Sequence, residues 1–128
     1  KARVVFYRTK ESSLYLARKA PVDINNKQVG ACAYGGFFYL DIPEGRHSIK
    51  TEIWDMPGEC ELFLNAESGS TYYLQVDPRM ESFTAFMLGG IVGNAIEGSG
   101  KQCSGAFKLY PASKEIAEKK LVNLRLSE

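Results

Sequence analysis

His47 is the only histidine in the chain, so it is the only imidazole that could act as a general base. It lies in an alternating run, Arg46 to Trp54, that places His47, Ile49, Thr51 and Ile53 on one face of a predicted strand. A lone histidine in such a pattern is more often packed and hydrogen-bonded than catalytic. The chain also lacks the G-x-S-x-G motif of a nucleophile elbow. We therefore expect no catalytic residues and no enzymatic activity.

Three cysteines, Cys32, Cys60 and Cys103, stand far apart and form no C-x-x-C motif. In an oxidising compartment one pair could form a disulfide, whereas in a reducing compartment all three would be buried thiols. Cys60 lies on the apolar face of its predicted strand, while Cys32 alternates with Gln28 and Gly30. If the protein matures outside the cytoplasm, the Cys60–Cys103 disulfide is the favoured pairing, although spacing alone does not fix connectivity.

Metal and cofactor motifs are incomplete. One histidine and three scattered cysteines are too few for a structural zinc site. Ala95 to Gln102 departs from the phosphate-binding loop motif at its first glycine and at its final Ser/Thr. The acidic residues of the middle region fall on predicted turns and strand ends without EF-hand spacing: Asp41, Glu44, Asp55, Glu59 and Glu61. We expect no metal and no cofactor.

The segment from Phe83 to Ile96 is the most apolar part of the chain and is interrupted by three glycines. Three glycines in five residues indicate close packing or a bent path, because each glycine costs about 1 kcal/mol in a helix relative to alanine. The segment either closes one end of the domain or contacts a partner, a second copy or a membrane surface. Its candidate interaction residues are Phe86, Met87, Leu88, Gly89, Gly90, Ile91, Val92 and Gly93. The run is too short to span a bilayer.

Turn signals recur about every ten residues, which is the rhythm of a β-sandwich or barrel. They stand at 25–26, 35–36, 43–45, 55–58 and 67–70. A chain of 128 residues fits one domain. We therefore predict a mostly β, antiparallel β-sandwich over residues 1–128, with 83–105 as a glycine-rich apolar segment and loop.

Several local features refine this fold. Ser113 can cap a short helix between Pro111 and Leu121, and the alternation after Leu121 predicts a final strand. Asp41 is placed to accept hydrogen bonds within the turn formed by Pro43 and Gly45. Alternation allows three aromatic side chains to face outward, Tyr7, Phe38 and Tyr73, although either face of a sandwich strand can be the inner one. A cluster of exposed aromatic rings would suit a ligand or protein interface, but we expect core packing for most of the aromatic residues.

Three motifs resemble a known family. The run FFYxDxPxGxHxI stands from Phe37 to Ile49, GxTYYLxV from Gly69 to Val76, and a closing FKLxPxS…LRL pattern from Phe107 to Leu126. Together they resemble the bacterial domain-of-unknown-function 2846 family, which is similar to small envelope proteins, many with a lipoprotein-type leader. The resemblance implies a periplasmic or membrane-anchored lipoprotein whose signal peptide was removed upstream of Lys1. It implies no reaction.

The net charge of +1, without a basic stripe, argues against binding to nucleic acid. We expect a non-enzymatic cell-envelope β-sandwich with a binding or structural role, whose partner is an envelope protein, a second copy, or a membrane surface reached by a lipid anchor or the apolar segment. The alternative is a small-ligand or carbohydrate-binding module that uses surface aromatics. A contiguous apolar patch would favour the first reading and a concave pocket the second.

Overall fold

The computed structural model describes residues 1–9, 19–51, 60–78, 96–97, 107–122 and 124–126. The strands are β1 (Ala2–Tyr7), β2 (Ala20–Ile24), β3 (Lys27–Cys32), β4 (Gly36–Ile42), β5 (Gly45–Thr51), β6 (Cys60–Ala66), β7 (Thr71–Pro78), β8 (Ile96–Glu97), β9 (Phe107–Ala112) and β10 (Arg125–Leu126). One helix, α1 (Lys114–Leu121), follows β9. No helix in these ranges is long and apolar enough to cross a membrane.

The strands form two five-stranded sheets. Sheet 1 has the order β10-β4-β1-β7-β9, and sheet 2 has the order β3-β2-β5-β6-β8. The predicted fold class, mostly β with a short C-terminal helix, is confirmed. Two pairings in sheet 1, β1 with β7 and β10 with β4, are parallel, and the remaining pairings are antiparallel. β1 and β7 can pair in parallel because five strands, β2 to β6, separate them along the chain and provide the long crossover that a parallel pair needs.

The core lies between the sheets and follows the alternation seen in the sequence. Ile49 and Thr51 of β5 face inward, as predicted. Apolar side chains of both sheets form one buried cluster: Ala2, Val4, Phe6, Ala20, Val22, Ile24, Cys32, Phe38, Ile42, Ile49, Leu62, Leu64, Ala66, Tyr72, Leu74, Val76 and Leu109. This shared cluster joins the two sheets into a sandwich.

A second cluster lies on the other side of sheet 1, beneath α1. Tyr7 and Ala117 are fully buried there, so the outer face of the central strand is covered by the helix. The helix begins where predicted, because the Ser113 side chain accepts a hydrogen bond from the Ile116 N–H at 3.3 Å. Glu115 in the first turn and Lys119 and Lys120 in the last turn match the helix dipole.

The structure shows which way the three aromatic side chains face, and all three are packed, as expected for most of the aromatic residues. Phe38 faces the core, because it pairs with Phe6 and the two rings stack with centroids 5.0 Å apart. Tyr7 and Tyr73 do lie on the outer face of sheet 1, but both belong to the cluster packed under α1. Alternation assigns the face of a strand, and only the covering helix decides whether that face is exposed.

The two ends of the sandwich differ. Three short turns lie at one end, named here the turn end: 25–26 between β2 and β3, 43–44 between β4 and β5, and 67–70 between β6 and β7. Asn25 and Asn26 have φ of 54° and 69°, which makes the predicted tight hairpin. At the opposite end, named the loop end, β1, β3, β5 and β7 finish while β2, β4, β6 and β9 begin. The β3–β4 connection there, 33–35, is also short.

A substitution at Gly30 of β3 tests how closely β3 of sheet 2 packs against β4 of sheet 1. A Cβ added at Gly30 would lie 2.7 Å from the Phe38 ring, which is buried and stacked. We expect Gly30→Ala to lower the free energy of unfolding by about 1–3 kcal/mol. Urea denaturation measures the change.

The double variant Gly30→Ala with Phe38→Leu is the control. Its loss should be smaller than the sum of the two single losses, because the shorter side chain makes room for the new methyl group. Additive losses would show that Gly30 is not kept small by the Phe38 ring.

Candidate functional site

His47 lies on the inner face of β5 at the turn end and is buried. Its Nε2 is 2.8 Å from the Pro43 carbonyl oxygen, and its Nδ1 is 3.0 Å from Asn25 Nδ2. The prediction that this histidine is packed and hydrogen-bonded is confirmed. Both ring nitrogens are engaged in holding two turns together.

The amide of Asn25 fixes the tautomer of His47. The Ser48 backbone N–H donates to Asn25 Oδ1 at 3.0 Å, so the Asn25 NH₂ group faces the imidazole. Nδ1 must then accept, and the ring proton resides on Nε2, from which it is donated to the Pro43 carbonyl. His47 therefore ties the β2–β3 turn to the β4–β5 turn as a neutral imidazole.

Arg8 is the residue that sequence reasoning missed. It directly follows β1 at the loop end and is fully buried, as is Phe6 two positions earlier. Its backbone N–H donates to the Gly36 carbonyl at 2.8 Å, and its guanidinium carbon lies 5.8 Å from the centroid of the Tyr34 ring. A charged group is costly to bury, so an arginine at this place marks a specialised part of the sandwich.

A second buried polar group lies at the same end of sheet 1 but on its α1 side, the face opposite to that of Phe6. Gln75 of β7 is fully buried and donates from Nε2 to Thr9 Oγ1 at 3.3 Å. Lys120, in the last turn of α1, donates from Nζ to Gln75 Oε1 at 3.4 Å. These two hydrogen bonds connect Thr9, which follows β1, with β7 and α1 at the loop end. The sequence signal for this group was weak, since Gln75 sits in an otherwise apolar β7 pattern.

Thr9, Gln75 and Lys120 are joined by hydrogen bonds on the α1 side of sheet 1, and Arg8 is buried next to Thr9 in the chain, so that polar and cationic groups lie on both faces of sheet 1 at the loop end. Hydrogen-bond donors held at strand ends by buried backbone can anchor the connections that leave those strands, or present polar groups to a bound partner. We name these four residues the loop-end cluster and take them as the candidate functional site. Within the described ranges, no group of three or more histidine, cysteine or acidic side chains could hold a metal ion.

The most exposed aromatic ring of the described chain is on β4. Tyr39 is 51% exposed, and the Arg3 guanidinium lies over its ring at 4.7 Å from the centroid. Arg3 Nε donates to Asp41 Oδ1 at 2.9 Å and Nη2 to Oδ2 at 3.4 Å. Asp41 therefore pairs across the strands with Arg3 rather than serving the Pro43–Gly45 turn as predicted.

Several predicted residues lie outside the described part of the chain. The candidate interaction segment 86–93 is one, as is the Cys103 partner of the favoured disulfide. Cys60 begins β6, but its side chain is not described. Cys32 is buried in the core cluster. The disulfide and the interaction segment stay predictions.

The His47 network predicts different effects for the two neighbouring asparagines. Asn25→Gly keeps the positive φ but removes the hydrogen bonds to Ser48 and His47, so we expect a loss of about 1–3 kcal/mol. Asn26→Gly keeps the turn as well and should change stability by less than about 0.5 kcal/mol. Urea denaturation compares the two variants. Equal losses of stability in the two variants would show that the Asn25 side chain does not stabilise the His47 network. Separately, ¹⁵N chemical shifts of His47 that show a neutral ring protonated at Nδ1 would contradict the assigned tautomer.

The Arg3–Asp41 pair predicts a pH effect. The Arg3 guanidinium, through its hydrogen bond and its charge, holds the pKa of Asp41 below the ordinary aspartate value. A lowered folded pKa means that the stabilisation is present above the unfolded pKa, about 4, and is lost as pH falls through the folded one. We expect an NMR titration of the Asp41 carboxyl carbon to show a depressed midpoint that rises toward the ordinary value in Arg3→Gln. A midpoint unchanged by Arg3→Gln would contradict this assignment.

The comparisons with known proteins place the chain in one family. The family described as "Protein of unknown function (DUF2846)" matches residues 1–91, which span β1 through β7. No curated protein and no solved structure matches the chain. The match covers more than two-thirds of the 128 residues and contains the first two motifs noted in the sequence. The chain therefore belongs to this family of proteins of unknown function, DUF2846.

Proposed function

We propose that this protein is a non-enzymatic binding module of the bacterial cell envelope, periplasmic or anchored as a lipoprotein, and that it binds its partner at the loop end. The observation that carries the proposal is the difference between the two ends of the sandwich. Three tight turns close one end, whereas the other end has one short turn, 33–35, and the strand ends from which the longer connections leave. β-Sandwiches commonly place binding residues on the loops of one end of a rigid scaffold.

The turn end has the contacts of a rigid scaffold. The Gly69 N–H donates to the Lys1 carbonyl at 2.9 Å, and the Lys1 amino group donates to Ser68 Oγ at 3.2 Å. The Glu67 N–H donates to the Tyr72 hydroxyl at 3.0 Å. With the His47 network, these bonds tie the N-terminus and all three turns to neighbouring strands. We therefore take the turn end as the rigid scaffold and the loop end as the binding surface.

The loop end offers both apolar and cationic groups. Val122, directly after α1, is 80% exposed and is one of the two large exposed hydrophobic side chains in the described chain. Lys120 lies two residues earlier and reaches the buried Gln75. The predicted interaction segment 86–93 belongs to the connection between β7, which finishes at this end, and β8. These features support an envelope protein as the partner, with the segment as its main contact.

The role of His47 supports a non-enzymatic function. A general base needs a ring nitrogen available to the substrate, and both nitrogens of the only histidine hold turn residues.

Site-specific photo-crosslinking in the native host tests the proposal. A photoreactive phenylalanine at Val122, in the full-length protein, should give an ultraviolet-dependent adduct with an envelope component. The same group at Ser68, exposed at the turn end, is the matched control and should give none. The protein itself should fractionate with the envelope. Gly93→Leu should weaken the Val122 adduct, because a large side chain blocks close approach of two backbones at that glycine.

Two outcomes would contradict the proposal. An adduct from Ser68 but not from Val122 would place the binding surface at the turn end. Recovery of the protein in the cytoplasmic fraction, without an adduct from either position, would reject both the compartment and the binding site.

A carbohydrate-binding module is the second candidate, and Tyr39 is the observation that favours it. Its half-exposed ring lies beside Arg3 and Asp41, which supply planar donors and acceptors of the kind that sugar hydroxyls bind. Calorimetry with soluble oligosaccharides separates the candidates, since Tyr39→Ala should abolish sugar binding and leave the Val122 adduct unchanged.

A further inference from the structure

We propose that helix α1 is a lid on the outer face of sheet 1, and that it lifts from that face while the sandwich stays folded. The lid covers a row of side chains beside the loop end, and lifting it adds that row to the surface available there. The inference concerns the motion alone and needs no bound partner, so it holds or fails independently of the function proposed above.

The surface under the lid is a continuous row across four strands of sheet 1. Tyr7 of β1 pairs with Phe37 of β4 on one side and with Gln75 of β7 on the other, and Gln75 pairs with Tyr110 of β9. Residues opposite each other on paired strands point to the same face of a sheet. Tyr7 belongs to the cluster under α1, so the whole row lies on the α1 side. We name this row the floor: Phe37, Tyr7, Gln75 and Tyr110.

The lid is attached through little buried surface. Of the eight residues of α1, Ala117 alone is buried, while Ile116, Lys120 and Leu121 are half-buried and the other four are exposed. Val122, which follows the helix directly, is 80% exposed although it is apolar. Burial of apolar surface stabilises in proportion to the area removed from water, so one alanine and a few partly buried side chains hold the helix weakly.

A hydrogen bond joins the last turn of the lid to the floor. Lys120 Nζ donates to Gln75 Oε1 at 3.4 Å, and Gln75 is fully buried while Lys120 is half-buried. When the lid lifts, water hydrates both groups, so the net loss is smaller than that of a bond broken inside the core. The two tyrosines of the floor, Tyr7 and Tyr110, also carry hydroxyl groups that water can hydrate.

The core between the sheets does not depend on the lid. In the part of the chain that the structure describes, every member of the core cluster belongs to β1–β7 or β9, and α1 contributes to the second cluster instead. β1 keeps its backbone pairing with β4 and β7 when α1 lifts. The open state exposes Tyr7, which is fully buried in the closed state, so the open state is the minor one. Elements with little buried surface are the ones that open locally while the rest of a domain stays folded.

Thiol labelling of Ala117→Cys in the full chain tests the lid. The introduced thiol is covered while the lid is closed, and Cys32, which is buried in the core cluster, is the internal reference in the same molecule. We expect a thiol reagent, with its sites assigned by peptide mass mapping, to modify position 117 about tenfold or more faster than Cys32, because lifting the lid costs less than opening the core. Equal rates at the two positions, with equal dependence on urea, would show that the lid lifts only when the whole domain unfolds and would overturn the proposal.

Two lysine substitutions on the lid form a matched pair. Lys120→Ala removes the hydrogen bond to Gln75, whereas Lys119→Ala makes the same change of charge and of helix propensity at an exposed neighbour. We expect Lys120→Ala to raise the labelling rate at position 117 about threefold to tenfold and Lys119→Ala to leave it within about twofold. An equal rise in both variants would show that labelling reports fraying of the helix rather than its release from the floor, and would overturn the proposal.

Hydrogen exchange of the unaltered chain decides the question even where Ala117→Cys disturbs the packing. The Ala117 N–H donates to the Ser113 carbonyl at 2.9 Å inside the helix. A helix of eight residues is too short to be stable alone, so this amide should exchange whenever the lid lifts. We expect its exchange to depend less on urea than that of the β5 amides, because lifting the lid exposes less surface than unfolding the domain. A urea dependence equal to that of the β5 amides, down to zero urea, would contradict the lid.

Discussion

Burial of β1 on both faces is the constraint on which the rest of the fold depends. Val4 and Phe6 face the core between the sheets, while Tyr7 on the opposite face is also fully buried. A strand in that position needs a layer on each side. Sheet 2 provides one layer, and α1 provides the other. The family match ends at residue 91, so the helix that covers β1 lies beyond the matched residues.

Local features of the fold were predictable from the sequence because they depend on neighbouring residues. Alternation identified the inward residues of β5, the turn signal at 25–26 identified the β2–β3 turn, and Ser113 identified the helix start. The neighbours of each strand were not predictable. The parallel pairing of Arg3 with Thr71 joins residues far apart in sequence, and no local pattern encodes such a contact. The same gap explains Phe38, whose partner Phe6 was needed to assign its face.

The candidate site was predictable only in part, for the same reason. A lone histidine in an alternating strand correctly indicated a packed residue, although its partner Asn25 is 22 positions away. Arg8 follows Val4 and Phe6 with the spacing of an inward residue, but a charged side chain is rarely fully buried, so the pattern alone did not single it out. Asp41 was assigned to the nearest turn because its actual partner, Arg3, lies on a strand that only the tertiary fold brings close.

The position of β1 in the middle of sheet 1 also determines how the chain can acquire its structure. The hairpins of sheet 2, β2–β3 and β5–β6, join segments close in sequence and can form early. β1 pairs with β4 and then with β7, and in the part of the chain that the structure describes, the helix over its outer face is α1, which begins at Lys114. Although β1 precedes all of its partner elements in the chain, it is thus among the last of them to be fully enclosed. Its run of apolar side chains, from Val4 to Tyr7, stays accessible until α1 forms, which exposes partly folded chains to aggregation in the meantime.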